Sequence, residues 1–272
     1  MLYLKSVLMG IVQGLTEFLP ISSTGHLIIF DRFIGFAEGD FARMYDVVIQ
    51  LGSILAVVVY FHRKLIPAEA LRDAAVRRRT FSIWMKSAVG VLPALAVGGI
   101  FGGAIQEALY NPLTVACALA GGGVALIVIE SVRHRVKVET VEELGYGRAL
   151  AIGAIQCLAM IPGMSRSAST ILGGLLLGTS RTAAVEYSFF LAVPTMCAAS
   201  GYSLLKHGGR LTGEEWAALA VGFAVSFLVA WGVIAFLMGF IRKYSFKLFG
   251  WYRISLAAVL ITLMSMGLLS WR

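Results

Sequence analysis

Long apolar segments, separated by short polar connections, constrain the fold of this chain more than any other feature of its sequence. Only 14% of the 272 residues are charged, against about 25% in soluble domains, so a water-soluble surface cannot be built. The apolar runs are continuous rather than alternating, which disfavours a membrane β-barrel. We therefore predict an all-α integral membrane protein. Six stretches have the roughly 17 to 25 residues that a spanning helix needs: 44–61, 84–105, 112–130, 184–205, 216–241 and 251–271.

Two further apolar stretches, 2–36 and 148–179, are each interrupted midway by a polar turn. Pro20–Gly25 interrupts the first stretch and Pro162–Ser167 the second, so each half is too short to cross a bilayer. Broken helices occur at membrane depth only where protein buries them or where they line a wet cavity. The sequence therefore predicts two re-entrant helix-loop-helix hairpins.

The order of these segments, a hairpin and three spans followed by a hairpin and three spans, indicates an internal duplication. A shift of 143 positions (10 to 153) places Gly10–Gln13 on Gly153–Gln156 and Ser22–Thr24 on Ser165–Ser167. Three spans are an odd number, so the second half should be upside down relative to the first. We predict a single membrane domain, 1–272, in which the repeats 1–135 and 148–272 have inverted topology.

The net charge of +8 comes from basic residues in the connections, with no basic face interleaved with aromatic residues, so we expect no nucleic acid partner. Basic connections mark the cytoplasmic side. Alternation of spans then places Arg133 inside and Arg210 outside, and the first hairpin enters from the outer face. The connection after the first span is the most basic, with Arg63, Lys64, Arg72, Arg77, Arg78, Arg79 and Lys86.

Three ionisable residues, Glu17, His26 and Arg166, are predicted to lie deep in the protein. Placing a charged side chain at the bilayer centre costs about 2.5 to 3.5 kcal/mol on insertion scales, so such residues are candidates for function. Gln13 lies four residues before Glu17, on the same helical face, and could bind the same ligand. The alternative for Glu17 is a helix end that faces the protein surface.

The second turn, Pro162–Thr170, has the composition of an anion site. Proline and glycine end one helix, and a serine-rich stretch opens the next, whose free N–H groups and dipole favour phosphate. Arg166 adds a planar fork that matches phosphate oxygens. In the alternative, the serines only cap a helix while Arg166 pairs with Glu17. The candidate binding residues here are Gly163, Ser165, Ser167 and Thr170.

The first turn supplies potentially reactive groups. Ser23 and His26 are three residues apart at the start of a helix, so hydroxyl and imidazole could converge as a nucleophile and its base. In the alternative, the serines are helix caps and the histidine is bonded within the bundle. Inverted hairpins should meet near the midplane, which would bring Glu17, Ser23 and His26 against Arg166. Ser22 and Thr24 are the further binding candidates of this turn.

The segments Gln13–His26, Tyr45–Ser53 and Pro162–Thr170 resemble those of the bacterial undecaprenyl-diphosphate phosphatase family, and the resemblance extends along essentially the whole chain. It implies removal of the terminal phosphate from a C55 isoprenyl diphosphate in the bacterial cytoplasmic (inner) membrane. The product is the monophosphate that carries peptidoglycan building blocks. The family is also linked to bacitracin resistance, because that antibiotic sequesters the same diphosphate.

The resemblance also implies roles for individual residues. The family's (Glu or Gln)-x-x-x-Glu pattern begins here with Gln13 and ends with Glu17. This chain therefore has one carboxylate in the pattern, whereas family members with Glu at the first position have two. A divalent cation, Mg²⁺ or Ca²⁺, would then be shared between Glu17, waters and the substrate's diphosphate oxygens. The family's serines, histidine and arginine map onto Ser22, Ser23, His26 and Arg166.

Three nucleophiles remain open: Ser23 activated by His26, His26 itself, or a water activated by His26 or Glu17. The rival function is a transporter that passes a polyprenyl phosphate or another anion through the same inverted-repeat site. The Ser23/His26 pair favours hydrolysis, because a carrier needs no nucleophile. The expected partners are the lipid substrate and membrane lipids, and a homodimer is one of the oligomeric states left open.

Overall fold

Helices make up most of the structure, which is a computed structural model. It describes residues 1–36, 39–132, 135–207 and 211–267, with side chains excepted at 32, 39, 40, 43, 106, 206 and 207. Arg133 and Arg210, to which the sequence assigns sides of the membrane, lie outside the described residues. The helices are α1 (Leu2–Thr16), α2 (Ser23–Ile34), α3 (Gly39–Tyr60), α4 (His62–Leu65), α5 (Ala74–Leu109), α6 (Pro112–Ser131), α7 (Tyr146–Gln156), α8 (Arg166–Leu176), α9 (Arg181–His207), α10 (Gly213–Phe240) and α11 (Lys247–Ser265).

Long apolar helices lie at the six predicted spans. Among the described residues, five helices (α5, α6, α9, α10 and α11) are long and apolar enough to cross a membrane on their own. The sixth, Met44–Tyr60, qualifies together with His62–Leu71, from which it is bent by 76°. The predicted all-α, multi-pass membrane protein is therefore confirmed.

Two helix boundaries differ most from the prediction. Helix α5 begins at Ala74 rather than at residue 84, so Arg77, Arg78 and Arg79 lie in a helix and not in a connection. Arginine is a good helix former, and an apolar-run criterion cannot see a helix that continues beyond the apolar segment. Helix α11 ends at Ser265, and residues 268–271 of the predicted span 251–271 lie outside the described residues.

Both predicted turns interrupt the helices where the sequence places them, between α1 and α2 and between α7 and α8. Ser22 and Ser165, 143 positions apart (22 to 165), both have φ 74°. Each caps the following helix, because Ser22 Oγ accepts from Gly25 N and Ser165 Oγ accepts from Ala168 N. The same local geometry thus recurs at the spacing that suggested a duplication. The re-entrant insertion of the hairpins and the inverted repeat stay predictions.

Close helix packing holds the two hairpins in place. Helices α1 and α3 pack on α10, α6 packs on α11, and α7 packs on α5. The contact between α5 and α7 requires glycine, because a Cβ at Gly153 would collide with the backbone of Gly90. At the end of the first hairpin's first helix, Phe18 is fully buried with its ring edge-on to Phe189 of α9, 4.9 Å between centroids. This contact fixes the neighbouring residue, Glu17.

Candidate active site

A cavity of about 400 Å³ lies between the two turns and receives side chains from both. Glu17 and Ser22–Thr24 line it from the first hairpin, and Gly163, Ser165 and Arg166 line it from the second. The predicted convergence of the two turns is therefore confirmed. On another side, α5 forms an apolar wall of the cavity with Ala94, Gly98, Gly102 and Ile105. Thr195 and Met196 of α9 also line it.

The Glu17 carboxylate is the centre of the polar network in this cavity, with the residue only 4% exposed. Its Oε1 accepts a hydrogen bond from Arg166 Nη2 at 3.1 Å. Its Oε2 accepts from Ser23 Oγ at 2.8 Å and from Gln13 Nε2 at 2.9 Å. The predicted shared face of Gln13 and Glu17 is confirmed, and Gln13 acts on the cavity through Glu17. Its own side chain is fully buried.

Arg166 links the second hairpin to the first and to α9. Besides its bond to Glu17, its Nη1 donates to the Ser188 carbonyl oxygen at 2.8 Å and to Ser188 Oγ at 3.3 Å. Its Nε has no hydrogen-bond partner among the residues that the structure describes. Arg166 therefore pairs with Glu17 and also lines the cavity, and its Nε–H has no acceptor among the described residues.

His26 does not converge on Ser23, so this expectation is wrong. His26 Nδ1 lies 2.7 Å from the Ser22 carbonyl oxygen, and Nε2 lies 2.7 Å from Tyr252 Oη. A carbonyl can only accept, so Nδ1 carries a proton, and when the ring is neutral Nε2 accepts from the tyrosine. The imidazole thus reaches one helical turn back along α2 and across to α11, whereas the Ser23 hydroxyl donates to Glu17. In the described part of the chain, His26 does not line the cavity.

Two of the predicted binding residues in the second turn hold the turn rather than line the cavity. Ser167 Oγ donates to the Leu19 carbonyl oxygen at 3.0 Å, which ties the second hairpin to the first. Thr170 Oγ1 lies 2.6 Å from Ser188 Oγ and donates to the Arg166 carbonyl oxygen at 2.9 Å. Neither residue is among the described lining of the cavity, and both side chains bond to neighbouring protein from the first turns of α8.

Gly163 shapes the second turn through its backbone. It has φ 93°, a conformation that side chains other than glycine's rarely adopt. A Cβ there would also lie 2.6 Å from the Val115 carbonyl oxygen. The turn can approach α6 only because this residue is glycine.

Arg253, which the sequence analysis did not single out, joins the two turns. It is fully buried on α11, and all five of its N–H donors have carbonyl acceptors, so the guanidinium is fully satisfied. Its position near the start of the predicted span 251–271 was the available signal, because an arginine inside a span is a candidate for function. The acceptors are the carbonyl oxygens of Pro20, Ala118, Leu119, Gly163 and Met164, at 3.0 to 3.2 Å.

The cavity fits a divalent cation only if a ligand shares it. The described residues contain no cluster of three or more His, Cys, Asp or Glu side chains that could hold a metal ion. Glu17 is the one carboxylate among the described cavity-lining residues. Gln13 Oε1 is a buried oxygen with no partner in the described ranges. Gln13 is not among the described cavity-lining residues, so the Glu17 carboxylate is the protein ligand in question, and it suits Mg²⁺ or Ca²⁺ when a diphosphate supplies further oxygens.

Comparison with known proteins gives one consistent family. A family model described as "Bacitracin resistance protein BacA" matches residues 6–259. Undecaprenyl-diphosphatase 1 of Clostridioides difficile is 47% identical over 258 residues, which cover 94% of each chain. The undecaprenyl-diphosphatase of Lactiplantibacillus plantarum is 47% identical over 263 residues, 94% of this chain and 96% of the relative. That of Enterococcus faecalis is 45% identical over 263 residues, 95% of each chain.

Proposed function

The chain belongs to the bacitracin resistance protein BacA family, and on that premise we propose that the cavity between its two turns is the site of its reaction. The chain is an undecaprenyl-diphosphatase. It hydrolyses undecaprenyl diphosphate to undecaprenyl phosphate and inorganic phosphate, which recycles the lipid carrier of peptidoglycan synthesis. The observation that carries the site is the Glu17 carboxylate, bonded at once to Ser23 of its own hairpin and to Arg166 of the other.

The second turn supplies the groups that bind phosphate. Arg166 contributes a buried positive charge with an unused Nε–H, and charge-assisted bonds to phosphate are the strong ones. The N-terminus of α8, where Ser165 and Gly163 line the cavity, favours anions through its free N–H groups. The apolar wall from α5 suits the isoprenyl chain, so the two chemical halves of the substrate have matching surfaces.

Ser23 is proposed as the nucleophile, with Glu17 as its base. The Ser23 hydroxyl already donates to Glu17 Oε2 at 2.8 Å, within the reach that proton transfer needs. The Ser23 Oγ–P bond forms as its proton passes to Glu17, and the P–O bond to undecaprenyl phosphate breaks with its electrons going to the leaving oxygen. Glu17 releases that proton to the departing undecaprenyl phosphate, and water then attacks the phosphorus of the phosphoserine. The Oγ–P bond breaks, one proton of the water returns to Ser23 Oγ through Glu17, and inorganic phosphate leaves with the other. In the alternative, water attacks directly and Glu17 takes its proton.

His26 is proposed to position the first turn rather than to take the Ser23 proton. Both ring nitrogens are engaged, one with the Ser22 carbonyl and one with Tyr252. The histidine thereby fixes the backbone from which Ser22 and Ser23 face the cavity. Phosphorylation of His26 itself is disfavoured by the same geometry, because its free lone pair is directed at the tyrosine hydroxyl.

A divalent cation, Mg²⁺ or Ca²⁺, is proposed as the cofactor. Glu17, which lines the cavity, would hold it together with waters and the substrate's own oxygens. When bound, such an ion neutralises charge on the transferring phosphoryl group. Membrane lipids are the proposed surroundings of the exposed apolar side chains, and a homodimer stays a prediction.

Phosphate release from undecaprenyl diphosphate by the detergent-purified protein tests this function. We expect turnover with added Mg²⁺ or Ca²⁺ and its loss in excess EDTA, because the protein alone supplies too few charges to neutralise a diphosphate. A preparation that binds the lipid but releases no phosphate in either metal would favour the transporter instead. Turnover that EDTA leaves unchanged would remove the metal from the proposal and leave the hydrolysis intact.

The cavity is proposed to open to the outer face of the bacterial inner membrane. The basic connections support this orientation, because they favour the cytoplasmic side. Thr24 lines the cavity and is partly exposed, so Thr24→Cys reports on its accessibility. The three native cysteines, of which Cys117 and Cys197 are exposed, are first replaced by serine.

In intact cells, a membrane-impermeant thiol reagent is expected to label the Thr24→Cys protein at the level found in permeabilised cells. The cysteine-free parent is the control for background labelling. Labelling that appears only after permeabilisation would place the cavity on the cytoplasmic side and reverse the proposed orientation.

A further inference from the structure

Gln156, the last residue of α7, is a buried polar side chain that the proposed mechanism does not use. The residue is 2% exposed and lines the cavity between the two turns. Neither Nε2 nor Oε1 of its amide has a hydrogen-bond partner within the described residues. Buried amides in native proteins nearly always have partners, so an unpaired one in a cavity wall calls for an explanation.

The repeat alignment explains why this amide has no partner among the described residues. With the shift of 143 positions (13 to 156), Gln156 corresponds to Gln13, and Met160 corresponds to Glu17. In the first half, the Gln13 amide donates to Glu17, one helical turn ahead. In the second half, that position is a methionine, which also lines the cavity and offers only a weak acceptor. Gln156 has therefore kept its place in the cavity wall but lacks the carboxylate that holds its counterpart.

We propose that Gln156 binds the diphosphate of the substrate through its side-chain N–H groups, an inference that rests on the proposed function of the cavity. An ionised diphosphate presents only acceptor oxygens, which are the partners that an unpaired amide nitrogen lacks. Arg166, Ser165 and the N-terminus of α8 already make the same cavity favourable to an anion. Because neither end of the amide has a described partner, the side chain can turn its nitrogen toward the ligand without breaking a described bond.

The heat stability of a Gln156 variant without ligand distinguishes a role in ligand binding from a role in holding the fold. An unpaired buried amide is a cost to the folded protein that the ligand removes. Gln156→Met retains the length of the side chain and removes its polar atoms, so the unliganded variant is expected to be at least as heat-stable as wild type. A structural role for the amide would instead lower the melting temperature.

The test compares Gln156→Met and Gln156→Glu with wild type in phosphate release from undecaprenyl diphosphate. A hydrogen bond to a charged group contributes enough that its loss raises KM about ten- to a hundredfold, with a smaller effect on kcat, since the bond is present before the reaction. Gln156→Glu should raise KM further, because a carboxylate repels the diphosphate. Thr179→Val is the matched control, because Thr179 Oγ1 is also buried and lacks a described partner but lines a different cavity.

Thermal stabilisation by inorganic pyrophosphate provides a second readout that needs no turnover. We expect pyrophosphate to raise the melting temperature of wild type and of Thr179→Val more than that of either Gln156 variant. A KM and a pyrophosphate response equal to wild type in both variants would overturn the inference. An inactive wild-type protein would contradict the proposed function instead, and the pyrophosphate comparison would still decide whether Gln156 binds the anion.

Discussion

Replacing Arg253 by methionine leaves several buried carbonyl acceptors without donors and is expected to lower the free energy of unfolding by about 3 to 5 kcal/mol and to reduce phosphate release by about 100-fold or more. The guanidinium donates to five carbonyl oxygens and contacts both turns and α6. Methionine fills much of the same space but leaves those acceptors without donors in a buried site. A displacement of about 1 Å between Ser23 and Arg166 then accounts for the loss of activity.

Thermal unfolding in detergent and phosphate release from undecaprenyl diphosphate measure the two effects of Arg253→Met. Arg148→Met is the matched control, because the side chain of Arg148 makes one described hydrogen bond to a carbonyl, that of Leu177. The control is expected to lose much less stability. Equal melting temperatures for wild type and Arg253→Met, with full activity, would show that the buried arginine does not hold the turns together.

The parts of the site that depend on local sequence could be predicted. The pairing of Gln13 with Glu17 follows from their spacing along a helix. The Ser22 and Ser165 caps follow from the preference of serine for the start of a helix. The approach of Arg166 to Glu17 needed one further step, the predicted inverted repeat, which would bring two turns far apart in sequence to the same depth.

The parts that depend on packing between distant segments could not be predicted. Arg253 donates to carbonyl oxygens from three separate segments. Every residue has a backbone carbonyl, so the sequence does not show which of them will accept these bonds. His26 turns away from Ser23 because Tyr252 of α11 provides a partner on the other side. Ser167 likewise donates to the Leu19 carbonyl oxygen, an acceptor that the first hairpin provides. Spacing on one helix shows which residues are neighbours, but the neighbouring helices decide where each side chain points.

Glu17→Gln and Ser23→Ala are each expected to reduce kcat by at least about 1,000-fold. The amide of the glutamine variant is a poor base for the Ser23 proton, and it leaves the buried Arg166 without its carboxylate partner, an uncompensated charge. The alanine variant removes the nucleophile. Thr16→Val is the matched control for expression and folding, because Thr16 adjoins Glu17 but its hydroxyl donates only to the Val12 carbonyl among the bonds described. The control is expected to retain turnover within about twofold of wild type.

The double variant, Glu17→Gln with Ser23→Ala, tests most directly whether the two side chains act as one catalytic unit. Residues that act together are strongly non-additive, since removing either one already disables the step. Phosphate release from undecaprenyl diphosphate is measured for wild type, both single variants and the double variant. The double variant is expected to be within about threefold of the slower single variant. Losses that multiply, or a Ser23→Ala enzyme slowed only about fivefold, the value of a single hydrogen bond, would contradict a serine nucleophile activated by Glu17.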